Sequence, residues 1–242
     1  MKNVLLTITS NVKVGKDIFL MRLEGDVSEV KNPGEFINIQ IPGFYLRRPI
    51  SVCDFDNEHI DILYKILGKG TEEISSLEVG KKLDCLIGLG NGFNITPNIK
   101  PLLVGGGIGI APLVGLAKKF NEYGVRPTLI YGARSSDDLV LLDKLNELCD
   151  VYLCTDDGST GFHGNVVDCI KNVAVSFDYY YACGPYRMLE AIAKNFPNGY
   201  VSLEVRMGCG FGACMGCSIK TTEGPKRVCK EGPVFDGREV LF

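Results

Sequence analysis

The sequence has little of what a nucleic-acid or membrane protein needs. No run of Lys or Arg exceeds two, and 26 basic residues face 29 acidic ones for a net charge of −3. The basic stripe that tracks a phosphate backbone is therefore missing, and DNA or RNA is excluded as a partner. The longest uncharged stretch, Pro101 to Ala117, has 17 residues including five Gly and two Pro, short of the roughly 20 apolar residues of a membrane helix. Met1-Lys2-Asn3-Val4-Leu5 offers neither the apolar core nor the cleavage site of a secretory signal, so a cytoplasmic protein with no membrane partner is expected. Only two His are present, His59 and His163, neither beside a cysteine array, which excludes a Rieske centre with its two His ligands. Internal repeats and low-complexity segments are lacking too.

What is present suits a globular chain of one to two domains, at 242 residues against a prior of about 150 per domain. Glycine is abundant at 29 residues, a sign that some segments need permissive backbone. Ten Cys in a reducing compartment point to metal binding or catalysis rather than a disulfide framework.

From residue 4 to about 98 the pattern has period two: Val4, Leu6, Ile8; Ile37, Ile39, Ile41 alternating with Asn38 and Gln40; Ile60, Ile62, Tyr64, Ile66. Turn signals at Val14-Gly15-Lys16, Asn32-Pro33-Gly34, Pro42-Gly43 and Asp56-Asn57 separate these runs, so an antiparallel β-barrel or sandwich is expected over residues 1–98. Beyond Pro101, buried-strand runs recur near 101, 127, 151, 178 and 200, with helical patterns at Ile110–Phe120, Asp138–Leu148 and Tyr186–Phe196. That rhythm predicts a parallel α/β domain over 99–204. Residues 205–242 show Gly, Cys and short apolar pairs, a small domain that needs a staple.

The staple is legible. Cys209, Cys214, Cys217 and Cys229 read C-x4-C-x2-C-x11-C, the plant-type spacing for a 2Fe–2S cluster, with Gly210, Gly212 and Gly216 supplying the turns. Structural zinc is the alternative for four Cys, although zinc ribbons pair two C-x2-C knuckles and only Cys214 and Cys217 form one. Cys53, Cys85, Cys149, Cys154 and Cys169 have no such array and read as buried small hydrophobes.

Two strand ends suggest a nucleotide. Leu102-Leu103-Val104 runs into Gly105-Gly106-Gly107-Ile108-Gly109-Ile110-Ala111-Pro112, a strand, glycine turn and helix start suited to a pyrophosphate, with Pro112 tolerated in the first helical turn. Tyr179-Tyr180-Tyr181-Ala182-Cys183-Gly184-Pro185 is a second strand end that would face the same crevice. A tight packing turn without ligand is the alternative for both. In the barrel, Arg47-Arg48-Pro49-Ile50-Ser51 adjoins a strand beginning near Ile50, and Gly68-Lys69-Gly70-Thr71 starts a helix with Thr71 as its expected N-cap. A guanidinium fits a flavin pyrophosphate bidentately; a surface Arg pair is the alternative.

Together Arg48-Pro49-Ile50-Ser51, Gly70-Thr71, Gly88-Leu89-Gly90-Asn91-Gly92-Phe93, Gly105 to Pro112 and Cys183-Gly184-Pro185 resemble, in order, the ferredoxin-reductase-type FAD/NAD(P)H modules. Ser202 to Cys217 is similar, more narrowly, to the electron-transfer subunits of dihydroorotate dehydrogenase B, and the likeness spans essentially the whole chain. The resemblance implies that Arg48, Pro49, Ile50, Ser51, Leu63, Tyr64, Lys65, Gly70 and Thr71 hold FAD. It implies that Gly105, Gly106, Gly107, Gly109 and Gly184 face NAD, with Cys183 catalytic beside the nicotinamide, and that the four tail Cys ligate the cluster. It also implies an FMN-containing catalytic partner subunit in a two-plus-two heterotetramer. Ile50 departs from the wider motif Arg-x-Tyr-Ser/Thr and favours the narrower branch. NAD over NADP follows from the resemblance, since Arg134 on one side and Asp137 and Asp138 on the other leave the residues undecided. A reductase subunit of a hydrogenase or sulfide dehydrogenase complex is the alternative function.

Overall fold

A computed structural model describes residues 1–242. Seven elements build the first half: β1 (Lys2–Gly15), β2 (Ile18–Glu24), β3 (Phe36–Ile39), β4 (Arg48–Phe55), β5 (His59–Lys65), α1 (Lys69–Ser75) and β6 (Lys82–Leu89). The six strands close into an antiparallel barrel in the order β1-β2-β5-β4-β3-β6. Closure removes both sheet edges and encloses Leu6, Ile8, Met21, Ile37, Ile39, Ile62 and their neighbours as one core, as the period-two pattern requires.

The second half comprises β7 (Pro101–Gly106), α2 (Ala111–Glu122), β8 (Thr128–Ala133), α3 (Leu142–Leu148), β9 (Asp150–Thr155), β10 (Phe162–His163), α4 (Val166–Val173), β11 (Tyr179–Cys183), α5 (Tyr186–Asn195) and β12 (Gly199–Ser202), then β13 (Ser218–Thr221), β14 (Gly224–Arg227) and β15 (Val234–Asp236). The large sheet runs β10-β9-β8-β7-β11-β12-β15 and is parallel except for β15, which lies antiparallel to β12. The tail thus contributes a strand to the α/β sheet, and its Cys217, Val228, Cys229, Phe235 and Val240 share a core with Leu102, Val104 and Tyr180.

Three local readings are corrected. The helix expected over Asp138–Leu148 is a 3-10 turn at Ser136–Asp138 followed by α3, because Leu141 has φ 59° and interrupts the helix. Helix α4, which the sequence pattern did not single out, begins on Asn165, whose Oδ1 accepts from Val167 N and Asp168 N. Thr71 is not the N-cap of α1. That position is Gly68, and the Thr71 hydroxyl instead accepts from Leu67 N at 2.9 Å and donates to Gly68 O at 3.0 Å.

Two contacts fix how the units sit. Helix α2 crosses β4, where a β-carbon on Gly115 would stand 3.1 Å from Cys53 O, and Asp54 on β4 receives Lys118 and Lys144 at 3.1 and 2.9 Å. At the barrel exit, Asn91 Nδ2 donates to Glu231 O and Val234 O while its Oδ1 accepts from Val234 N. One side chain thereby ties the Gly88–Gly92 segment to the tail.

Candidate functional site

A cavity opens where barrel, α/β domain and tail meet. The barrel contributes Phe36, Arg48, Pro49, Ile50, Ser51, Leu63, Tyr64, Lys65 and Thr71; the α/β domain contributes Ile108 and Ala111; the end of β12 and the segment after it add Ser202 to Val205 and Met207. Eight of the nine barrel residues expected at the flavin, all but Gly70, line this cavity. Gly70 stands behind it, since a β-carbon there would lie 2.2 Å from Arg48 Nε; glycine is what lets the guanidinium cross α1.

The individual side chains differ in what they offer. Arg48 donates to Leu46 O and its guanidinium lies 4.8 Å above the Phe44 ring, so it is held at the rim rather than free in solvent. Tyr64 is turned into the barrel, stacked on Phe19 with its hydroxyl donating to Asn11 Oδ1 at 2.8 Å, so what it presents to the cavity is main chain. Lys65 pairs with Asp138 across the domain boundary at 2.8 Å. That pair commits Asp138, one of the two acidic residues weighed against a 2′-phosphate.

The glycine turn is explained first by packing. Strands β7 and β11 are parallel neighbours with Cys183 opposite Gly105. A β-carbon on Gly106 would meet Met188 Sδ at 2.5 Å, and one on Gly109 would meet Cys183 O at 2.5 Å. Gly107 is different, with φ 53° and open space around it, so it is the residue of the turn whose surroundings leave room for a ligand. Cys183 does not open onto the crevice. It is 1% exposed, part of the core between barrel and sheet, and burial pushes its thiol well above the usual range. A neutral thiol behind the wall is therefore what the geometry provides.

Glu204 was missed by motif reading. It lines the cavity with its side chain still exposed to solvent, and the protein packed around it raises its carboxyl above the ordinary Glu value. A raised carboxyl in a cleft is a functional signal in its own right, and nothing in a lone Glu after a short strand announces it.

The four tail Cys come together as two pairs. Cys209 adjoins Cys214, and Cys217 adjoins Cys229. Main-chain N–H groups of Ala213 and Cys214 point at Cys209 Sγ at 3.3 and 3.4 Å, and Gly216 N points at Cys214 Sγ at 3.4 Å. Although burial opposes it, these donors together with Phe211 N bring the Cys209 thiol down to about 6, readying it as a thiolate ligand. Burial, with the adjacent Cys217 sulfur, pushes Cys229 up to about 12. Two sulfur pairs match the ligand demand of two irons, two thiolates each. Cys217 and Cys229 are buried and Cys214 is exposed, so the solvent-facing edge is that of Cys214. Cys53, Cys85, Cys149, Cys154 and Cys169 are all buried, as expected of small hydrophobes.

A nucleotide-type parallel sheet docked on a closed barrel, with a shared cavity and a cysteine loop two residues beyond Met207 at its edge, defines an oxidoreductase module of the ferredoxin-reductase type. The comparisons agree. A family model described as the iron-sulfur cluster binding domain of dihydroorotate dehydrogenase B matches residues 204–241, and one described as an oxidoreductase NAD-binding domain matches residues 103–194. The electron transfer subunit of dihydroorotate dehydrogenase B (NAD(+)) from Fusobacterium nucleatum is 39% identical over 97% of this chain and 96% of its own. That of Streptococcus mutans is 38% identical over 98% and 97%. The chain belongs to this family of electron transfer subunits, whose place in a dihydroorotate dehydrogenase implies a catalytic partner subunit. The cluster motif is thereby an iron–sulfur site, not a zinc site. Among solved structures, the NADH-dependent reduced ferredoxin-NADP oxidoreductase aligns with TM-score 0.89 and 32% identity over 98% of this chain and 90% of that one. Phthalate dioxygenase reductase shares the fold, with TM-score 0.68 over 85% of this chain and 70% of that one at 21% identity. No helix is long and apolar enough to cross a membrane.

Proposed function

We propose that this chain passes electrons from an FMN-containing catalytic subunit, which oxidises dihydroorotate to orotate, through a 2Fe–2S cluster and FAD to NAD+, in a cytoplasmic complex of two copies of each subunit. Residues 1–98 serve as the FAD unit, 99–204 as the NAD unit and 205–242 as the cluster unit. The observation that carries this reading is the two-pair cysteine loop, open to solvent at Cys214 and joined through Met207 to the cavity shared by all three units. Bound FAD supplies the conversion between hydride transfer with a nicotinamide and single-electron transfer with the cluster.

The chain's own residues bind and orient. Arg48 holds a diphosphate at the rim with Thr71 beside it, while Pro49, Ile50, Ser51, Leu63, the Tyr64 main chain and the Lys65 stem form the wall against a flat ring. Gly105, Gly106, Gly107, Gly109 and Gly184 let two strand ends close up so that the nicotinamide nucleotide sits on main chain. Cys183 backs that site as a neutral thiol, and Glu204 places a carboxyl on the cavity wall. Cys209 with Cys214, and Cys217 with Cys229, each grip one iron.

The test is purification of the chain with its partner, with iron, sulfide and flavin quantified and dihydroorotate-driven NAD+ reduction measured. Absence of flavin bleaching by NADH, or zinc in place of iron, would refute the reading. A second reading, a subunit of another NAD(P)H and ferredoxin-linked complex, draws on the likeness to the NADH-dependent reduced ferredoxin-NADP oxidoreductase. The identity of the copurifying subunit separates the two.

A further inference from the structure

Asn38 lies where the cavity wall of the barrel meets the cysteine loop. It is 1% exposed on β3. Its partner across the ladder is Pro49, and both Pro49 and Phe36, which is two residues back and therefore on the same face of β3, border the cavity. Toward the tail, Asn38 Nδ2 donates to Cys209 O at 3.1 Å. The next residue, Gly210, has φ 77°, and a β-carbon there would lie 2.4 Å from Asn38 Nδ2. The Cys209-Gly210 turn is thus seated on a single side-chain amide, with no space for a larger residue between them.

That amide is costly to keep. Asn38 Oδ1 is buried without a partner in the chain, and an unpaired buried acceptor costs about 1–3 kcal/mol. A covered position on this outer face of β3 would be better served by an apolar residue, as at Phe36 two residues back. Nor is the side chain needed for strand pairing. Arg47 Nη1 reaches the Asn38 main-chain carbonyl at 3.4 Å and the Arg47 guanidinium pairs with Asp84 at 2.8 Å, so β3 is held there through its backbone. The side chain is accounted for by what Nδ2 holds.

We propose that Asn38 is a positioning residue for electron transfer: through its hydrogen bond to the Cys209 carbonyl it sets the Cys209–Cys214 half of the iron–sulfur loop against the flavin-facing wall of the barrel. The inference rests on the reading of loop and cavity given above. Asn38 acts through the Cys209 main chain, and the distance and orientation it fixes are those between the two sites that exchange electrons.

The test compares wild type with Asn38→Leu, which keeps the number and branching of the side-chain heavy atoms and removes the donor, and Asn38→Asp, which keeps shape and replaces the donor by an acceptor. Each is purified as the complex with its catalytic partner. The expected result is full iron and flavin, unchanged NADH-dependent flavin reduction, and altered EPR g-values of the reduced cluster in both variants. The cluster potential falls in Asn38→Asp because of the added negative charge, and flavin-to-cluster transfer slows by about tenfold, as for other residues that orient metal ligands from behind. Selective loss of iron with flavin retained would also support the proposal. Wild-type EPR, potential and transfer rate at full cofactor content would overturn it. So would loss of both cofactors from both variants, since Asn38 would then be serving the fold of the barrel. A wild-type complex lacking iron or flavin would sink the underlying reading instead.

Discussion

Gly109 and Cys183 are in backbone contact: a β-carbon on Gly109 would stand 2.5 Å from the Cys183 carbonyl oxygen and 2.6 Å from Gly184 Cα. Those neighbours are main chain at the end of β11 and cannot rotate away, so any side chain at 109 must push the glycine turn off that strand end. Gly109→Ala is expected to lower stability by about 1–3 kcal/mol through overpacking and to weaken NADH binding, with iron and flavin per chain unchanged. Calorimetry and an NADH titration of the flavin spectrum check both parts. Unaltered NADH affinity would mean that the turn serves packing alone.

Cys214 is the exposed member of the proposed ligand set, and its sulfur pairs with that of Cys209. Cys214→Ser is expected to abolish cluster assembly and electron exchange with the catalytic partner, while NADH-dependent flavin reduction continues, because none of the four tail cysteines lines the cavity. Iron analysis with partner-coupled turnover decides it. Full coupled turnover in the variant would mean that electrons bypass the loop.

The barrel strands and the glycine turn were legible because each is written locally, in period two and in a strand running into glycines. The tail was not. Strand β15 has three residues and exists through pairing with β12, a long-range contact without a local pattern. Asn38 reads as the polar half of an ordinary alternation with Ile37 and Ile39. In the folded chain the outer face of β3 is covered as well, and all four of its residues are buried, so a position that looks solvent-facing becomes the seat of the cysteine loop. Thr71 was misplaced because α1 is capped three residues earlier, on Gly68, a cap without a side chain to announce it. The paired sulfurs were visible as spacing, but which Cys adjoins which emerged only from the fold.

Arg48 is fixed at the cavity rim by Leu46 O, the Phe44 ring and the close approach to Gly70. Arg48→Ala is expected to cut FAD retention by about tenfold or more, in line with the loss of a charge-assisted bidentate phosphate contact. Arg48→Lys should recover only part of it, since an ammonium lacks the planar fork. Flavin released on gel filtration measures this. Undiminished flavin content in Arg48→Ala would return the residue to the surface.

Asp54 joins barrel to α/β domain through Lys118 and Lys144, with the carboxylate side chain 8% exposed. Burial works against its charge, but the hydrogen bonds and charges of Lys144 and Lys118 win, and its pKa lies below the ordinary Asp value. A carboxyl whose pKa is depressed by folding adds stability that is complete above the unfolded value of about 3.9 and is lost as pH falls through the lower folded value. Asp54→Asn is therefore expected to destabilise the chain by about 1–3 kcal/mol at pH 7, between the ranges for an exposed and a fully buried pair because both lysines can turn to solvent. Below about pH 4 the difference from wild type should shrink toward zero. Melting temperatures of the two proteins across that range provide the measurement, and a difference that stayed constant down to acid pH would show that Asp54 acts by shape rather than by charge.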